Sequence, residues 1–281
     1  MRIIVESGAT KSDWRLVDDG GTQLAAVLQP GINAAVMQEA ELATAVECGA
    51  DALVASAGRQ IEVGSVAVYV AGAVDERVCS VFCNAFRQRF AGCSVDVQSD
   101  LLAAARALFG RGSGIVCIMG TGANCCFYDG TSLSQKVYSG GFILGDEGSA
   151  AALGKRFLAD FLKNKVPADM ADAFRISFPS DYKTIVENVY RSARPSRYLG
   201  SLAPFITERY SISPYAKSIV DANFNDFLDS FLCNYDTAAY PVGVVGSFAF
   251  ACRHIVSDLA LQRGIRISTF LASPMDAIRR L

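Results

Sequence analysis

Two stretches of the chain repeat one pattern, and this repeat limits the possible folds more than any other feature of the sequence. Residues 2–20 and residues 115–130 each contain an apolar segment, a loop of small residues, a second strand-like segment and an Asp-Gly turn. Strand-like segments separated by a short turn predict a β-hairpin in each stretch. A repeat of a whole hairpin indicates two related domains with equivalent loops that face one another.

Strand and helix patterns alternate after each of the two hairpins. Residues 1–110 predict the element order βββαβαβα, and the pattern starts again after a glycine-rich segment. Residues 156–238 are mostly helical in pattern with several proline interruptions, and residues 242–271 return to strand, helix and strand. We therefore predict an α/β protein with domains at 1–110 and 111–281, the second carrying a helical insertion.

Composition and charge exclude several classes of protein. The chain of 281 residues is 51% hydrophobic and 19% charged, which assures a large core and excludes disorder. Its 26 basic and 28 acidic side chains leave no basic excess for nucleic acid. The sequence contains no apolar run of about 18 residues, so it predicts no membrane span. The early Glu6 argues against a signal peptide, and nine cysteines without a secretion signal favour the reducing cytoplasm.

Glycine-rich loops after predicted strands are the first candidates for chemistry. Glycine lets successive N–H groups converge on one point, and such a concave site binds anions. Thr10, Ser12 and Thr121 can add hydroxyl donors, and Lys11 can add a positive charge. One loop alone is more simply a hairpin turn, but several together, two of them in repeated positions, indicate a bound nucleotide. The loops are residues 6–11, 120–124, 140–149 and 243–246.

The spacing of these glycines excludes the two commonest nucleotide motifs. No G-x-x-x-x-G-K-[ST] segment occurs, so the chain is not a P-loop protein. Gly120 and Gly122 begin a G-x-G, but Cys125 stands where a dinucleotide fingerprint has its third glycine. A strand rather than a helix is predicted after that loop, which excludes a Rossmann site.

Asp100 is the candidate general base. It ends a predicted strand and begins a predicted helix, the position at which open α/β sheets place functional groups. It can act as a helix cap, although Ser99 before it can cap as well. It can equally accept a proton from a substrate hydroxyl during phosphoryl transfer. The residues alone leave both interpretations open.

These features together resemble the actin, hexokinase and sugar-kinase ATPase superfamily. Within it, residues 120–125 and 140–149 resemble the N-acetylglucosamine kinase group of the BadF/BadG/BcrA/BcrD ATPase family, most specifically in Gly-Asp-Glu-Gly-Ser at residues 145–149. The resemblance spans nearly the whole chain. It implies two ribonuclease H-like domains with a nucleotide cleft between them, and transfer of phosphate from ATP to an amino sugar, most simply N-acetylglucosamine at its 6-hydroxyl.

The resemblance also implies roles for individual residues. Asp100 matches the general base, and Glu6 matches the residue that holds Mg²⁺ through water. The sugar would be bound by Asn33, Gly72, Gly122, Asn124 and Asp146. The phosphates and adenosine of ATP would be bound by Gly8, Thr10, Lys11, Ser12, Gly120, Thr121, Gly122, Gly243 and Gly246. The partners implied are a small sugar and the nucleotide, with no nucleic acid and no membrane, and a homodimer is compatible with the family.

Departures from the family pattern keep other functions open. The first loop reads Glu6-Ser7-Gly8-Ala9-Thr10 where the family usually has Asp-Gly-Gly-Gly-Thr. Phe142 stands in a stretch where the mammalian enzymes carry a tryptophan near the sugar. The altered loop leaves a non-catalytic sugar or nucleotide sensor as an alternative, and the pocket leaves another amino sugar such as N-acetylmuramic acid. An iron–sulfur activator ATPase is disfavoured, because Cys125 and Cys126 are adjacent on a strand and point to opposite faces.

Overall fold

Each of the two repeated hairpins forms part of its own five-stranded sheet in a computed structural model. The chain divides into two units: unit 1 comprises residues 1–112 and 273–280, and unit 2 comprises residues 113–272. The residues that the structure describes are 1–58, 61–72 and 74–280.

The sheet of unit 1 has β1 at its centre. Its strands are β1 (Arg2–Ser7), β2 (Lys11–Val17), β3 (Gln23–Pro30), β4 (Ser65–Val70) and β5 (Ser94–Ser99). The strand order is β3-β2-β1-β4-β5, in which β1 pairs antiparallel with β2 and parallel with β4. The carboxyl ends of the parallel strands β1, β4 and β5 therefore meet at one edge of the sheet, where Asp100 follows β5.

Both faces of the unit 1 sheet are covered. Its helices are α1 (Glu39–Ala57), α2 (Glu76–Arg89), α3 (Asp100–Phe109) and a short C-terminal helix (Met275–Ile278). Successive residues of a strand point to opposite faces, so Ile3 and Val5 join the core with α1 and α2 while Ile4 joins the core with α3. Trp14 and Phe86 are fully buried on the first of these faces.

The sheet of unit 2 repeats the same topology. Its strands are β6 (Gly114–Met119), β7 (Ala123–Tyr128), β8 (Leu133–Ser134), β9 (Val242–Val245) and β10 (Ile267–Leu271). Their order is β10-β9-β6-β7-β8, with β6 antiparallel to β7 and parallel to β9. This order matches that of unit 1 strand for strand and confirms the repeat and the α/β fold class.

Helices dominate the rest of unit 2. The predicted helical stretch at 156–238 is confirmed, although it begins earlier with the helix after the Gly-Asp-Glu-Gly-Ser segment. Paired phenylalanine rings, among them Phe157, Phe174 and Phe205, fill its core. The helices are α4 (Gly141–Leu144), α5 (Ala150–Phe161), α6 (Ala168–Ser177), α7 (Tyr182–Tyr190), α8 (Pro195–Ser201), α9 (Ala203–Thr207), α10 (Pro214–Ser230), α11 (Ser247–Ala251) and α12 (Arg253–Gln262).

The C-terminal helix packs in unit 1. Met275 and Ile278 are 1% and 2% exposed and share a core cluster with Ile4 and Ala103. We expected residues 111–281 to lie in the second domain; burial of these two side chains groups residues 273–280 with unit 1 instead. Within the described parts of the chain, no helix has the length and apolar character needed to cross a membrane.

Candidate active site

The first glycine loop joins β1 to β2 in unit 1. Its turn is closed by the N–H of Gly8, which donates to the carbonyl of Lys11 at 3.1 Å. The side chain of Lys11 is exposed. The Ser12 hydroxyl is fully buried, donates to the carbonyl of Pro30 at 3.0 Å and accepts from the Trp14 indole at 2.8 Å. Lys11 is therefore accessible to an anion, whereas Ser12 holds the loop onto the neighbouring strand.

Gly31 and Ile32, which follow β3, pack against this loop and hold it in place. Ser7 is fully buried, and its hydroxyl accepts from the N–H of Ile32 at 2.7 Å. Gly31 donates its N–H to the carbonyl of Thr10 at 3.0 Å. A Cβ on Gly31 would stand 2.3 Å from the carbonyl oxygen of Gly8 and 2.7 Å from the nitrogen of Thr10. The two backbones thus approach as closely as glycine allows.

We expect Gly31→Ala to displace the first loop. The added methyl group must push the backbone of residues 8–10 away, at a cost of about 1–3 kcal/mol. A loop displaced in this way should raise the KM for ATP at least about tenfold, since small shifts in positioning groups have large effects on rate. Gly64→Ala is the matched control, because the nearest atom to its added Cβ lies 4.0 Å away. An unchanged KM for ATP in Gly31→Ala would contradict the assignment of this loop.

Carboxyl groups cluster beside the first loop. The Glu6 side chain at the end of β1 is partly buried. Burial first, and then the negative charges of Asp100 and Asp13, raise the pKa of Glu6 to about 7, while Lys11 opposes the shift. Asp13 is neutralised in part by Arg15, whose guanidinium donates to both of its oxygens at 2.5 and 2.7 Å. A negative electrostatic field that Lys11 and Arg15 compensate only in part therefore surrounds Glu6 and Asp100.

Asp100 is held at the N-terminus of α3. The helix is capped by Ser99, whose hydroxyl oxygen accepts from the N–H of Leu101 at 3.2 Å. One Asp100 oxygen accepts from the same N–H at 2.9 Å. Burial raises the pKa of Asp100 to about 6, and the hydrogen bonds from Ser99 and Leu101 limit that rise. The carboxylate is thus ionised at neutral pH yet basic enough to accept a proton.

The same carboxyl groups fit a magnesium ion bound together with phosphate. In the described part of the chain, no group of three or more histidine, cysteine or acidic side chains is close enough to hold a metal by itself. Mg²⁺ does not need such a cage, because it binds through one or two carboxylates plus water and phosphate oxygens. Glu6 and Asp100 supply that donor type, and their mutual repulsion favours a cation.

Asn33 and Gly72 are brought together at the same edge of unit 1. Asn33 forms an isolated parallel bridge with Ala71, directly after β4. Its side-chain oxygen accepts from the N–H of Ala35 at 3.0 Å. A Cβ on Gly72 would lie 2.7 Å from that oxygen. The structure therefore places these two predicted sugar-binding residues side by side.

The Asp146 carboxylate contacts the second glycine loop, residues 120–124, in unit 2. Asp146 is 8% exposed and adopts a left-handed backbone with φ 58°. One of its oxygens accepts from the N–H of Ala123 at 3.3 Å, and the other would lie 3.0 Å from a Cβ on Gly122. Burial raises the pKa of Asp146 to about 6, partly opposed by the Ala123 N–H. Gly122 and Asp146 therefore share one site.

The segment after Asp146 is tied to the second loop by backbone hydrogen bonds. The first two N–H groups of α5, at Ala150 and Ala151, donate to the carbonyls of Gly120 and Thr121 at 2.9 and 3.1 Å. Ser149 caps this helix by accepting from the N–H of Ala152 at 3.0 Å. The loop and the Gly-Asp-Glu-Gly-Ser segment are consequently one structural piece.

Asn124 begins the strand after the second loop, and a neighbouring amide orients it. Its side-chain oxygen accepts from the N–H of Cys125 at 2.9 Å and from the amide of Gln135 at 2.7 Å. Both contacts use the oxygen, so the amide nitrogen of Asn124 is the group left to meet a ligand acceptor. The sequence analysis missed Gln135, which has no motif or spacing of its own.

Gly246 packs against the beginning of the second loop, whereas Gly243 lies inside a strand. Gly246 follows β9 with φ 138°, and a Cβ there would stand 2.3 Å from the carbonyl oxygen of Met119. Gly243 lies within β9, opposite Val116 of β6. Of the two predicted adenosine-binding glycines, only Gly246 is thus at the loop.

Sequence reasoning also missed Gly31 and Lys155. Gly31 follows β3 as part of a Pro-Gly pair, and such a pair is a turn signal that could have drawn attention to it. Lys155 of α5 donates to the carbonyl of Phe142 at 2.8 Å and so fixes α4 beside Asp146. Only the packing of α5 shows that contact.

Comparisons with known proteins agree with this arrangement. A candidate N-acetylglucosamine kinase from Porphyromonas gingivalis has 33% sequence identity and a TM-score of 0.91, covering 100% of this chain and 98% of that chain. A second candidate N-acetylglucosamine kinase, from Chromobacterium violaceum, has 19% identity and a TM-score of 0.79, covering 100% and 98%. A ROK family glucokinase from Streptomyces griseus, solved with glucose and AMPPNP, has 16% identity and a TM-score of 0.54, covering 99% and 97%.

The last two structures show the fold alone, and the first shows the family. No protein-family model matches the chain, and neither does any curated protein. The two sheets of repeated topology define the fold of the actin, hexokinase and sugar-kinase type. The chain belongs to the family of N-acetylglucosamine kinase-like proteins and is a sugar kinase.

Proposed function

We propose that the protein transfers the γ-phosphoryl group of ATP to the 6-hydroxyl of an N-acetylated amino sugar, with N-acetylglucosamine as its preferred substrate. The observation that carries this proposal is the contact of the Asp146 carboxylate with Gly122 and Ala123 of the second glycine loop. A carboxylate that can accept hydrogen bonds from sugar hydroxyls therefore lies directly against the loop assigned to phosphate. The 33% identity with the Porphyromonas gingivalis protein supports the choice of sugar.

Asp100 carries out the proton transfer in this proposal. As the hydroxyl oxygen forms its bond to the γ-phosphorus, the bond to the leaving ADP oxygen breaks and Asp100 accepts the hydroxyl proton. The products are the sugar phosphate, ADP and a proton. Magnesium, when bound beside Glu6 and Asp100, supplies neutralisation of the phosphate charges.

The remaining residues bind and orient the substrates. The amide nitrogens of Asn33 and Asn124 donate to sugar oxygens, since their side-chain oxygens are already held by Ala35 and by Cys125 and Gln135. The N–H groups of both glycine loops and the ammonium of Lys11 bind the phosphates, with Thr10 and Thr121 as hydroxyl donors. Gly246 borders the adenosine at the end of β9. Ser12 acts indirectly, by keeping the first loop in place.

A sugar or nucleotide sensor is the second candidate. The observation that favours it is the pKa of Glu6, which burial and its acidic neighbours raise to about 7. A carboxyl group that is protonated in part at neutral pH holds a cation weakly, so binding without turnover would result.

A panel of sugars with ATP and magnesium distinguishes these functions. We expect ADP release with N-acetylglucosamine at a kcat/KM at least about tenfold above that for glucose, glucosamine or N-acetylmuramic acid, because buried contacts with a substrate group discriminate by such factors. ATP without sugar is the control for hydrolysis. Binding of sugar or ATP without turnover would instead support the sensor, and faster turnover of another sugar would replace the substrate.

We also propose a cytoplasmic enzyme. Its nine cysteines are all free thiols, and ATP is the phosphoryl donor. A homodimer is the assembly that the family resemblance suggests, and sedimentation in solution tests it.

A further inference from the structure

We infer that Asn223, in the middle of α10, is a positioning residue for the sugar and phosphate groups of unit 2. It lies far from the glycine loops in sequence and belongs to no motif. Its side chain is 1% exposed, and its amide nitrogen donates to the carbonyl of Ser149 at 3.2 Å. The inference rests on the proposed function, because the groups that it positions are those assigned to sugar and ATP.

Ser149 is the junction through which Asn223 acts. Its N–H donates to the carbonyl of Asp146 at 3.0 Å, so it closes the turn that carries the sugar-binding carboxylate. Its hydroxyl caps α5, and the first N–H groups of that helix bind the carbonyls of Gly120 and Thr121. A shift of the Ser149 carbonyl therefore moves both Asp146 and the second glycine loop.

A second contact of α10 strengthens this argument. A Cβ on Gly148 would lie 2.4 Å from the Cβ of Phe227, one helical turn after Asn223. The helix thus touches the turn at two successive residues, Gly148 and Ser149. Packing by Phe227 sets how near the turn lies, and the hydrogen bond from Asn223 sets its orientation.

An amide suits this position for a chemical reason. The Ser149 carbonyl is buried and accepts two hydrogen bonds, from the N–H of Leu153 at 3.1 Å and from the amide of Asn223 at 3.2 Å, which matches the two lone pairs of a carbonyl oxygen. A hydrophobic side chain would pack in the same space but would leave this carbonyl with the bond from Leu153 of α5 alone and no hydrogen bond to α10. The polar residue at the centre of an otherwise apolar face is therefore explained by the turn it holds.

The test compares Asn223→Asp with the wild type. Aspartate has the same shape but replaces the donor with an acceptor that repels the Ser149 carbonyl. We expect the KM values for sugar and for ATP to rise at least about tenfold each, with a smaller change in kcat, because loosely held groups bind both substrates less well. Asn223→Ala, in which water can take the place of the donor, should show the same changes to a smaller extent and serves if the aspartate variant does not fold.

The control separates positioning from simple loss of stability. Leu228→Ala removes a side chain of the same helix that is 1% exposed, and it should lower Tm while leaving both KM values unchanged. If Asn223→Asp lowered Tm but left both KM values unchanged, Asn223 would be an ordinary core residue and the inference would be wrong.

Hydrogen exchange gives a readout that does not depend on kinase activity. The amides of Ser149, Ala150 and Ala151 should exchange at least about tenfold faster in Asn223→Asp than in the wild type, and no faster in Leu228→Ala. A wild type without turnover would refute the proposed function, while this exchange pattern would still decide the role of Asn223. Unchanged exchange at the three amides would overturn the inference.

Discussion

Asp100→Asn should lower kcat for phosphoryl transfer about a thousandfold while the affinity for sugar stays within about threefold of the wild type. The asparagine keeps the side-chain oxygen that accepts from the N–H of Leu101, so α3 should begin as before. What is lost is the carboxylate that accepts the hydroxyl proton. Steady-state turnover and direct sugar binding measure the two effects separately.

The electrostatics around Asp100 sharpen this test. The negative charge of Asp100 helps to raise the pKa of Glu6, so the asparagine should lower that pKa and leave Glu6 more fully ionised. Because Asp100 is also one of the two carboxylates proposed to hold magnesium, kcat is compared at saturating Mg²⁺, where weaker binding of the cation no longer limits turnover. Asp96→Asn is the matched control, because this exposed carboxylate lies on β5, the strand directly before Asp100, and bonds only with Gln98 in the described residues.

The pH dependence follows from the same carboxylate. The base must be ionised to act, so kcat/KM of the wild type should fall about tenfold per pH unit below the pKa of about 6. The residual activity of Asp100→Asn should lack this decline. Activity of the asparagine variant within about tenfold of the wild type would remove Asp100 from the mechanism.

Local patterns explain why the architecture could be predicted from the sequence. An apolar run bounded by small-residue turns can be recognised from a few neighbouring residues. Both hairpins and the alternating strands and helices after them have this pattern. The position of the C-terminal helix could not be predicted in this way. Met275 and Ile278 pack against residues of the first strands, and no pattern in the neighbouring sequence indicates that contact. The single helix predicted between the two strands of residues 242–271 is in fact two helices, α11 and α12.

The candidate site shows the same limit. Asp100 and the two loops were found because each stands at the end of a strand pattern, whereas Asp146 was found through the family resemblance of residues 145–149. The supporting residues were not found, because their partners are distant: Asn223 meets Ser149 across 74 positions of the chain. Short sequence patterns are thus enough to predict the fold and the reactive groups. The contacts that orient the reactive groups depend on tertiary packing between distant helices.

Burial of carboxylates in both units has a cost in stability. The pKa of Asp146 is about 6 in the folded chain against an ordinary 3.8. Below about pH 4 the carboxyl is protonated in both states and costs nothing, and between about pH 4 and pH 6 the unfolded chain ionises first, which destabilises the fold progressively. Above that range the cost is constant at about 3 kcal/mol, since each pKa unit corresponds to about 1.4 kcal/mol.

Asp146→Asn should therefore stabilise the protein while it abolishes its function. Asparagine tolerates the left-handed backbone and can still accept from the N–H of Ala123, so only the charge is removed. We expect Tm to rise by several degrees at pH 7.5, with no difference from the wild type near pH 4, while the KM for sugar rises at least about a hundredfold. Thermal unfolding at several pH values and sugar kinetics measure the two effects.

Asp129→Asn is the control for this experiment, because the pKa of Asp129 is shifted in the direction opposite to that of Asp146. Asp129 lies in the exposed turn after β7, where hydrogen bonds from Ser132 and Thr131 lower its pKa. Removing its charge should not stabilise the protein at pH 7.5 and should leave the KM for sugar unchanged. Asp146→Asn could likewise fail to raise Tm and yet lose sugar binding. The negative charge of Asp146 would then be balanced by other groups in the free enzyme, and its burial would not destabilise the fold. A gain in Tm with intact sugar binding would instead remove Asp146 from the pocket, because the charge would then be a cost without a function.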